Sequence, residues 1–202
     1  MKTQLKNFIG MFPLSTVVLP GEQTMLHIFE PRYKQLINDC FASNSDFGIP
    51  FYFRNKTQLY GTRVKLVDID RFYKDGKMDI RIEGVSIFRI DEYHPMFEEK
   101  LYPGGSIKEV KRDFELPNKQ ELLDLFKTYT MRVLKEDDGL YFDKNISIFN
   151  LANTLNLSQE EKFKLIKTNS HDQQQNVIIN HLRFVMTLFQ QEEELDHRFF
   201  LN

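Results

Sequence analysis

Five histidines, one cysteine and an acidic run near the end are the groups in this sequence with reactive chemistry to offer. His27, His94, His171, His181 and His197 include no H-E-x-x-H pair. That spacing would set two imidazoles one helical turn apart over a zinc ion, with a glutamate beside them. His171 falls in the first turn of a helical pattern and reads as a surface polar residue. His197 follows Glu192, Glu193, Glu194 and Asp196, a charge run that at the end of a helix reads as a solvated face rather than a metal cluster. Cys40 would need an exposed thiolate and a positioned base to act as a nucleophile. Its place on the apolar stripe of a helix makes it a small buried hydrophobe instead. There is no G-x-x-x-x-G-K-[ST] loop to cradle phosphates, no G-x-G-x-x-G after a strand and no G-x-S-x-G elbow. The expectation is therefore no catalytic residue, no metal and no cofactor.

Binding chemistry is better represented. Phe51-Tyr52-Phe53-Arg54, followed by Lys56, Tyr60 and Arg63, interleaves aromatic rings with cations, a mixture that can stack bases and neutralise phosphates. A period of two puts Phe51 and Phe53 on one face of a strand and Tyr52 and Arg54 on the other. The strand is expected to bury its first face, leaving Tyr52, Arg54, Tyr60 and Arg63 as candidate contacts. The apolar Phe199-Phe200-Leu201 is expected to dock on its own helices.

The elements that must position these residues divide near residue 116. All but one of the nine glycines and all but one of the seven prolines lie upstream, and helix formers dominate downstream. Met78, Ile80 and Ile82 alternate with Asp79, Arg81 and Glu83, the period of a half-buried strand. Lys74-Asp75-Gly76-Lys77 supplies the turn before it, with Gly76 free to take a positive φ. Val64, Leu66, Val67 and Ile69 form a preceding strand whose change of phase predicts a bulge. Gly84 is expected to separate Met78–Glu83 from a further strand through Val85, Ile87, Phe88 and Ile90, and Gly104-Gly105 to form a turn. Other strands are expected at Met25–Phe29, Phe47–Phe53 and Phe97–Tyr102. One helix interrupts them: Pro31 suits a first turn, Tyr33, Leu36, Ile37, Cys40 and Phe41 make its apolar stripe, and Asn44 and Ser45 end it. Downstream, Asn118 with Glu121, Ser158 with Glu161 and Ser170 with Gln173 fit the capping-box pattern, and Ser147 is a further cap. The first of these helices is expected to bury Leu122, Leu125, Phe126, Tyr129 and Val133, and the last Ile178, Leu182, Val185 and Phe189. Residues 1–116 thus read as a β-rich part and 117–202 as a helical bundle, an α+β chain.

Composition sets the outer bounds. With 27 Lys and Arg against 29 Asp and Glu, the formal net charge of −2 provides no global field for nucleic acid or anionic lipid. A single cysteine excludes an internal disulfide. No run approaches the roughly 20 apolar residues of a membrane span, and residues 1–10 do not read as a signal peptide. A soluble, cytoplasmic protein is expected.

Several blocks in order resemble the N-terminal substrate-binding domain of the Lon ATP-dependent protease family. Phe12-Pro13-Leu14 leads into Val17-Val18-Leu19-Pro20-Gly21, then Leu26, Ile28 and Phe29-Glu30-Pro31-Arg32-Tyr33. Phe47-Gly48-Ile49, Gly61-Thr62, Asp75-Gly76 and Phe88-Arg89-Ile90 follow at about the family's spacing, and Leu157–Lys162 is similar to its entry into the late helices. The resemblance implies a PUA-like β pseudo-barrel with one inserted helix, followed by a C-terminal helical bundle. Within the shared blocks, Pro13, Leu14, Pro20, Gly21, Phe29, Glu30, Pro31 and Tyr33 are expected to be structural, and Arg32 either structural or a ligand contact. The chain ends at Asn202 without the family's ATPase or serine–lysine peptidase, so a stand-alone, non-catalytic module is expected. The partner implied is an unfolded polypeptide or another protein, with a separate Lon-type protease as one such partner. RNA is the alternative, since PUA-like folds elsewhere bind it.

Overall fold

The computed structural model describes residues 8–97, 99–110, 116–135 and 146–199, the side chains of 196–199 excepted. Its elements in order are β1 (Phe8–Gly10), β2 (Gln23–Ile28), α1 (Pro31–Ser43), β3 (Phe47–Phe53), β4 (Lys56–Phe72), β5 (Met78–His94) and β6 (Gly104–Glu109). They continue with α2 (Gln120–Tyr129), a π-helical turn (Thr130–Leu134), α3 (Ile148–Asn153), α4 (Gln159–Lys167) and α5 (His171–Phe199). The contacts form two compact units. One holds residues up to Lys111 together with Ser158–Lys167, and the other holds Arg112–Leu157 with Thr168 onward. The α4 segment thus packs with the strands.

The strand-rich unit is an antiparallel six-stranded sheet in the order β1-β6-β5-β4-β3, with β2 also pairing β5. β5 is long enough to serve two neighbours on one side. Its first part, Met78–Glu83, pairs with β2, and Phe88–His94 pairs with β6. On its other side it pairs with β4 along most of its length. The alternation read from Met78, Ile80 and Ile82 has its cause here: all three are buried in one core with Ile28, Val64 and the α1 residues Tyr33, Leu36, Ile37 and Cys40. Each such aliphatic side chain contributes about 1.5–3 kcal/mol by leaving water. Ile9, Met11, Phe88, Ile90 and Ile107 form a second, smaller cluster. In α1 the residue Phe41, expected on the buried stripe, is exposed. It lies off the Tyr33–Leu36–Ile37–Cys40 line that faces the sheet.

Two glycine expectations are corrected. Gly84 does not end a strand, because β5 runs through it. A Cβ there would collide with the Leu19 carbonyl, and the Gly84 amide donates to Glu22 O while its carbonyl accepts from Gly21 N, both at 2.9 Å. The glycine allows the Leu19–Glu22 turn to press onto the sheet, and Gly21 takes its positive φ of 78° in that turn. Gly104-Gly105 opens β6 rather than turning, and Phe97–Tyr102 is not a strand. A Cβ on Gly104 would meet the Phe8 ring at 2.7 Å, and one on Gly105 the Glu92 carbonyl. Both glycines serve close approach between neighbouring strands. Gly76 does turn the chain, at φ 75°, with its amide donating to Tyr73 O at 2.9 Å.

In the helical unit, Leu122, Phe126 and Tyr129 of α2 are buried, as are Ile178, Ile179, Leu182 and Met186 of α5, while Leu125, Val133, Val185 and Phe189 are half-buried. The Ser147 hydroxyl accepts from Asn150 N at 3.2 Å and Ser170 from Gln173 N at 3.3 Å, as capping residues do. Asn118 does not cap α2. The buried Gln175 of α5 accepts from both Asn118 N (3.0 Å) and Lys119 N (2.9 Å), and its amide nitrogen donates to Asn118 Oδ1 at 2.8 Å. A distant side chain has taken the role that the local pattern assigned to Glu121, accepting from Asn118 N. Glu192, Glu193 and Glu194 are exposed. The side chain of His197 and the expected docking of Phe199-Phe200-Leu201 lie outside the described residues.

Candidate functional site

The shared Phe29–Tyr33 block is held together from within. Glu30 precedes α1 in extended conformation and caps no amide with its side chain. Its Oε2 accepts instead from Arg32 Nε at 2.9 Å and pairs with Arg32 NH2 at 2.8 Å. The Arg32 guanidinium lies 4.5 Å from the centre of the Tyr33 ring, which stacks on Phe12 at 3.8 Å. Burial pushes the Tyr33 hydroxyl up to about 12. The residues Phe12–Leu14 run alongside β3. Phe12 N donates to Gly48 O (2.7 Å), Leu14 N to Pro50 O (3.2 Å), and Tyr52 N to Leu14 O (2.7 Å). One side of β3 is paired with β4 and the other is covered in this way.

Of the five candidate contacts, the structure brings Tyr52 and Arg54 into one groove. Phe51 and Phe53, which line the same groove, stack on each other at 5.6 Å, and Phe51 meets Phe163 of α4 at 4.8 Å. Tyr52 is 39% exposed. Arg54 and Asn55 both have positive φ, 50° and 59°, at the tight turn between β3 and β4. The Arg54 guanidinium sits 5.0 Å from the Phe53 ring centre. These residues, with Ser15 and the Ser158–Glu160 start of α4, surround an open groove of about 520 Å³. The start of α4 is closed to an anion: Ser158 Oγ accepts from Glu161 N at 3.3 Å, and the Glu161 carboxylate accepts from Ser158 N at 2.8 Å. Arg63 is engaged elsewhere, with Glu109 at 2.7 Å and Asp46 at 3.4 Å. Tyr60 is half-buried opposite Arg89 of β5. Arg32 belongs to the Glu30–Tyr33 cluster just described.

A second groove, of about 460 Å³, was not read from the sequence. The end of α1, from Cys40 to Asp46, forms one wall and Lys65–Ile69 of β4 the other. β3 pairs with β4 only as far as Val64, so among the described residues Lys65–Phe72 has no strand partner on the side away from β5. The predicted change of phase is real: the ladder to β5 shifts between Leu66 and Asp68 and again between Ile69 and Arg71. The first shift turns Val67 out to 42% exposure, and Phe41 across the groove is 68% exposed. Cys40 lies in the wall but is buried, which pushes its thiol up to about 11 and leaves it inert. The bulge was the one signal in the sequence that pointed here.

On the outer face of the sheet, Asp79 accepts from Tyr73 OH at 2.6 Å and meets His27 Nδ1 at 2.6 Å. These two hydrogen bonds, His27 first, hold its carboxyl below the usual range. Among the described residues no group of three or more His, Cys, Asp or Glu side chains could hold a metal ion, and no helix is long and apolar enough to cross a membrane.

A mixed sheet-and-helix unit with exposed grooves and a separate helical unit make up an α+β fold of the kind seen in Lon N-terminal domains. The family model described as the ATP-dependent protease La (LON) substrate-binding domain matches residues 9–183, and the chain belongs to that family. Among solved structures it is similar to a Lon N-terminal domain protein from Xanthomonas campestris. The TM-score is 0.66 at 26% identity, covering 85% of this chain and 96% of that one. The N-terminal domain of a Lon protease from the Mycobacterium avium complex has the same fold, with a TM-score of 0.65 at 16% identity, covering 87% and 98%. Among curated proteins no sequence match is found.

Proposed function

We propose that this chain is a non-catalytic module that binds polypeptide, either unfolded segments or a partner protein. The observation that carries the reading is its membership of the Lon substrate-binding family across residues 9–183. The surface supports it. Met25, Phe29, Phe41, Leu59, Val67 and Phe72 are large apolar side chains that the strand-rich unit leaves exposed and that a polypeptide segment could cover. Peptide binding of this kind draws affinity from apolar contact and main-chain pairing, and therefore tolerates varied sequences. Delivery of clients to a separate Lon-type protease is the more specific form of the proposal. A PUA-like character for the strand unit and a cytoplasmic setting belong to the same reading.

RNA is the competing occupant, favoured by Tyr52 and Arg54 in one groove and disfavoured by the carboxylate partners of Arg63. Fluorescence anisotropy of the full chain with a permanently unfolded, thiol-blocked polypeptide and with a single-stranded RNA, each across a salt series, separates the two. Polypeptide binding that changes little with salt is the expected result. RNA binding that falls steeply with salt through counterion release, with no polypeptide binding, would overturn the proposal.

A further inference from the structure

The groove between α1 and β4 is lined by two carboxylates, Asp46 and Asp68, whose cationic partners are shared or distant. Lys65 is neutralised by Glu83 at 2.9 Å. Asp46 has only a share of Arg63, at 3.4 Å, because Glu109 holds that guanidinium at 2.7 Å. Asp68 reaches Arg81 only at 3.7 Å, the guanidinium being taken by Asp70; its Oδ1 accepts from Ile69 N at 2.8 Å, and its side chain is 63% exposed. The C-terminal end of α1 adds to this. Its last turn carries no basic residue to offset the partial negative charge of the helix end, and Cys40, Phe41, Asn44 and Ser45 there line the groove, with Cys40 O accepting from Asn44 N and Ser45 N and Asp39 O from Ser43 Oγ. An apolar floor of Leu66 and Ile69, packed on the core beneath, completes it.

We infer that this groove takes a short extended peptide segment carrying apolar side chains beside a lysine or arginine. The inference rests on the polypeptide-binding reading and names its site and class of segment. The apolar side chains lie against Phe41, Val67, Leu66 and Ile69, and the cation sits between Asp68 and the end of α1. The peptide backbone runs along the edge of β4 that no strand occupies among the described residues. The bulges at Leu66/Asp68 and Ile69/Arg71 keep that edge from pairing over a long flat stretch, which admits a short segment and resists edge-to-edge aggregation.

The test is a charge exchange on the full chain, read by anisotropy of two labelled peptides of identical apolar sequence, one with two lysines and one with two glutamates. Wild type is expected to bind the lysine peptide at least about tenfold more tightly, the order of effect of a charge pair at an interface. Asp68→Lys is expected to lose most of that preference, and Phe41→Ala with Val67→Ser to weaken both peptides. Leu188→Ala, on an exposed position of α5, should change neither. All these side chains are exposed, and an unchanged thermal midpoint confirms that each variant folds. If the unfolded polypeptide binds but Asp68→Lys and the Phe41/Val67 variant leave affinity and preference intact, the groove assignment is wrong and the general reading stands. If neither peptide nor the unfolded polypeptide binds, both are wrong.

Discussion

Asp39 shows how a single side chain fastens the strand-rich unit. Its Oδ2 accepts from Lys100 Nζ at 2.9 Å and from Tyr102 OH at 2.8 Å, tying α1 to the segment before β6. The Lys100 hydrogen bond, opposed by some desolvation, holds the Asp39 carboxyl below its ordinary 3.8. A carboxyl depressed in the folded state contributes stability that is present above the ordinary value and is lost as pH falls through the lower one. The stability difference between wild type and Asp39→Asn is therefore expected to be constant near neutral pH and to shrink below about pH 3.8, as urea titrations at several pH values would show. Gly84 gives a second prediction at this scale. With the Leu19 carbonyl against its Cα, Gly84→Ala is expected to destabilise by roughly 1–3 kcal/mol through overpacking, measured by thermal denaturation.

At the scale of elements, the start of α2 is the informative case. Gln175→Ala removes the acceptor of two amides at Asn118 and Lys119, and a buried hydrogen-bonding loss of that kind costs about 1–3 kcal/mol. Amide hydrogen exchange should quicken across residues 118–123, whereas Glu121→Ala should leave those amides protected. The same helix start explains what was legible. Asn118 and Glu121 have the spacing of a capping box, but which donor is satisfied by which side chain is decided by packing against α5. The β4–β5 hairpin was readable because the alternation of β5 and the Asp75-Gly76 turn are local signals, and β3 because a short apolar and aromatic run, buried at its first five positions, is one too. β6 was not, because glycines that permit close approach to Phe8 and Glu92 look the same in sequence as glycines that permit a turn. Tyr52 and Arg54 line one groove, but Arg54 lies in the turn beyond β3 at a φ of 50° rather than on the strand face that alternation assigned it. The α1–β4 groove was not readable, since an edge becomes open only through the length of its partners: β3 ends its pairing at Val64 while β4 runs on to Phe72.

At the scale of the molecule, chain order and compact unit do not coincide. The α4 segment lies among the downstream helices in sequence but is bound to the strands. Lys162 pairs with Glu22 at 2.6 Å, Gln159 Oε1 accepts from Val17 N at 2.6 Å, and Phe163 meets Phe51. The Lys162–Glu22 pair is largely shielded from water, so losing one partner leaves a costly uncompensated charge. A chain cut at residue 116 is therefore expected to be markedly less stable than its strand count suggests, and to recover when the 158–167 peptide is added in trans. Soluble yield and thermal midpoint with and without that peptide would show it.

Polypeptide recognition by the strand-rich unit is tested most directly by hydrogen exchange of the full chain, alone and saturated with the unfolded polypeptide. Slower exchange confined to residues 40–46 and 65–72 is the predicted result. Unchanged exchange throughout the chain would contradict the account.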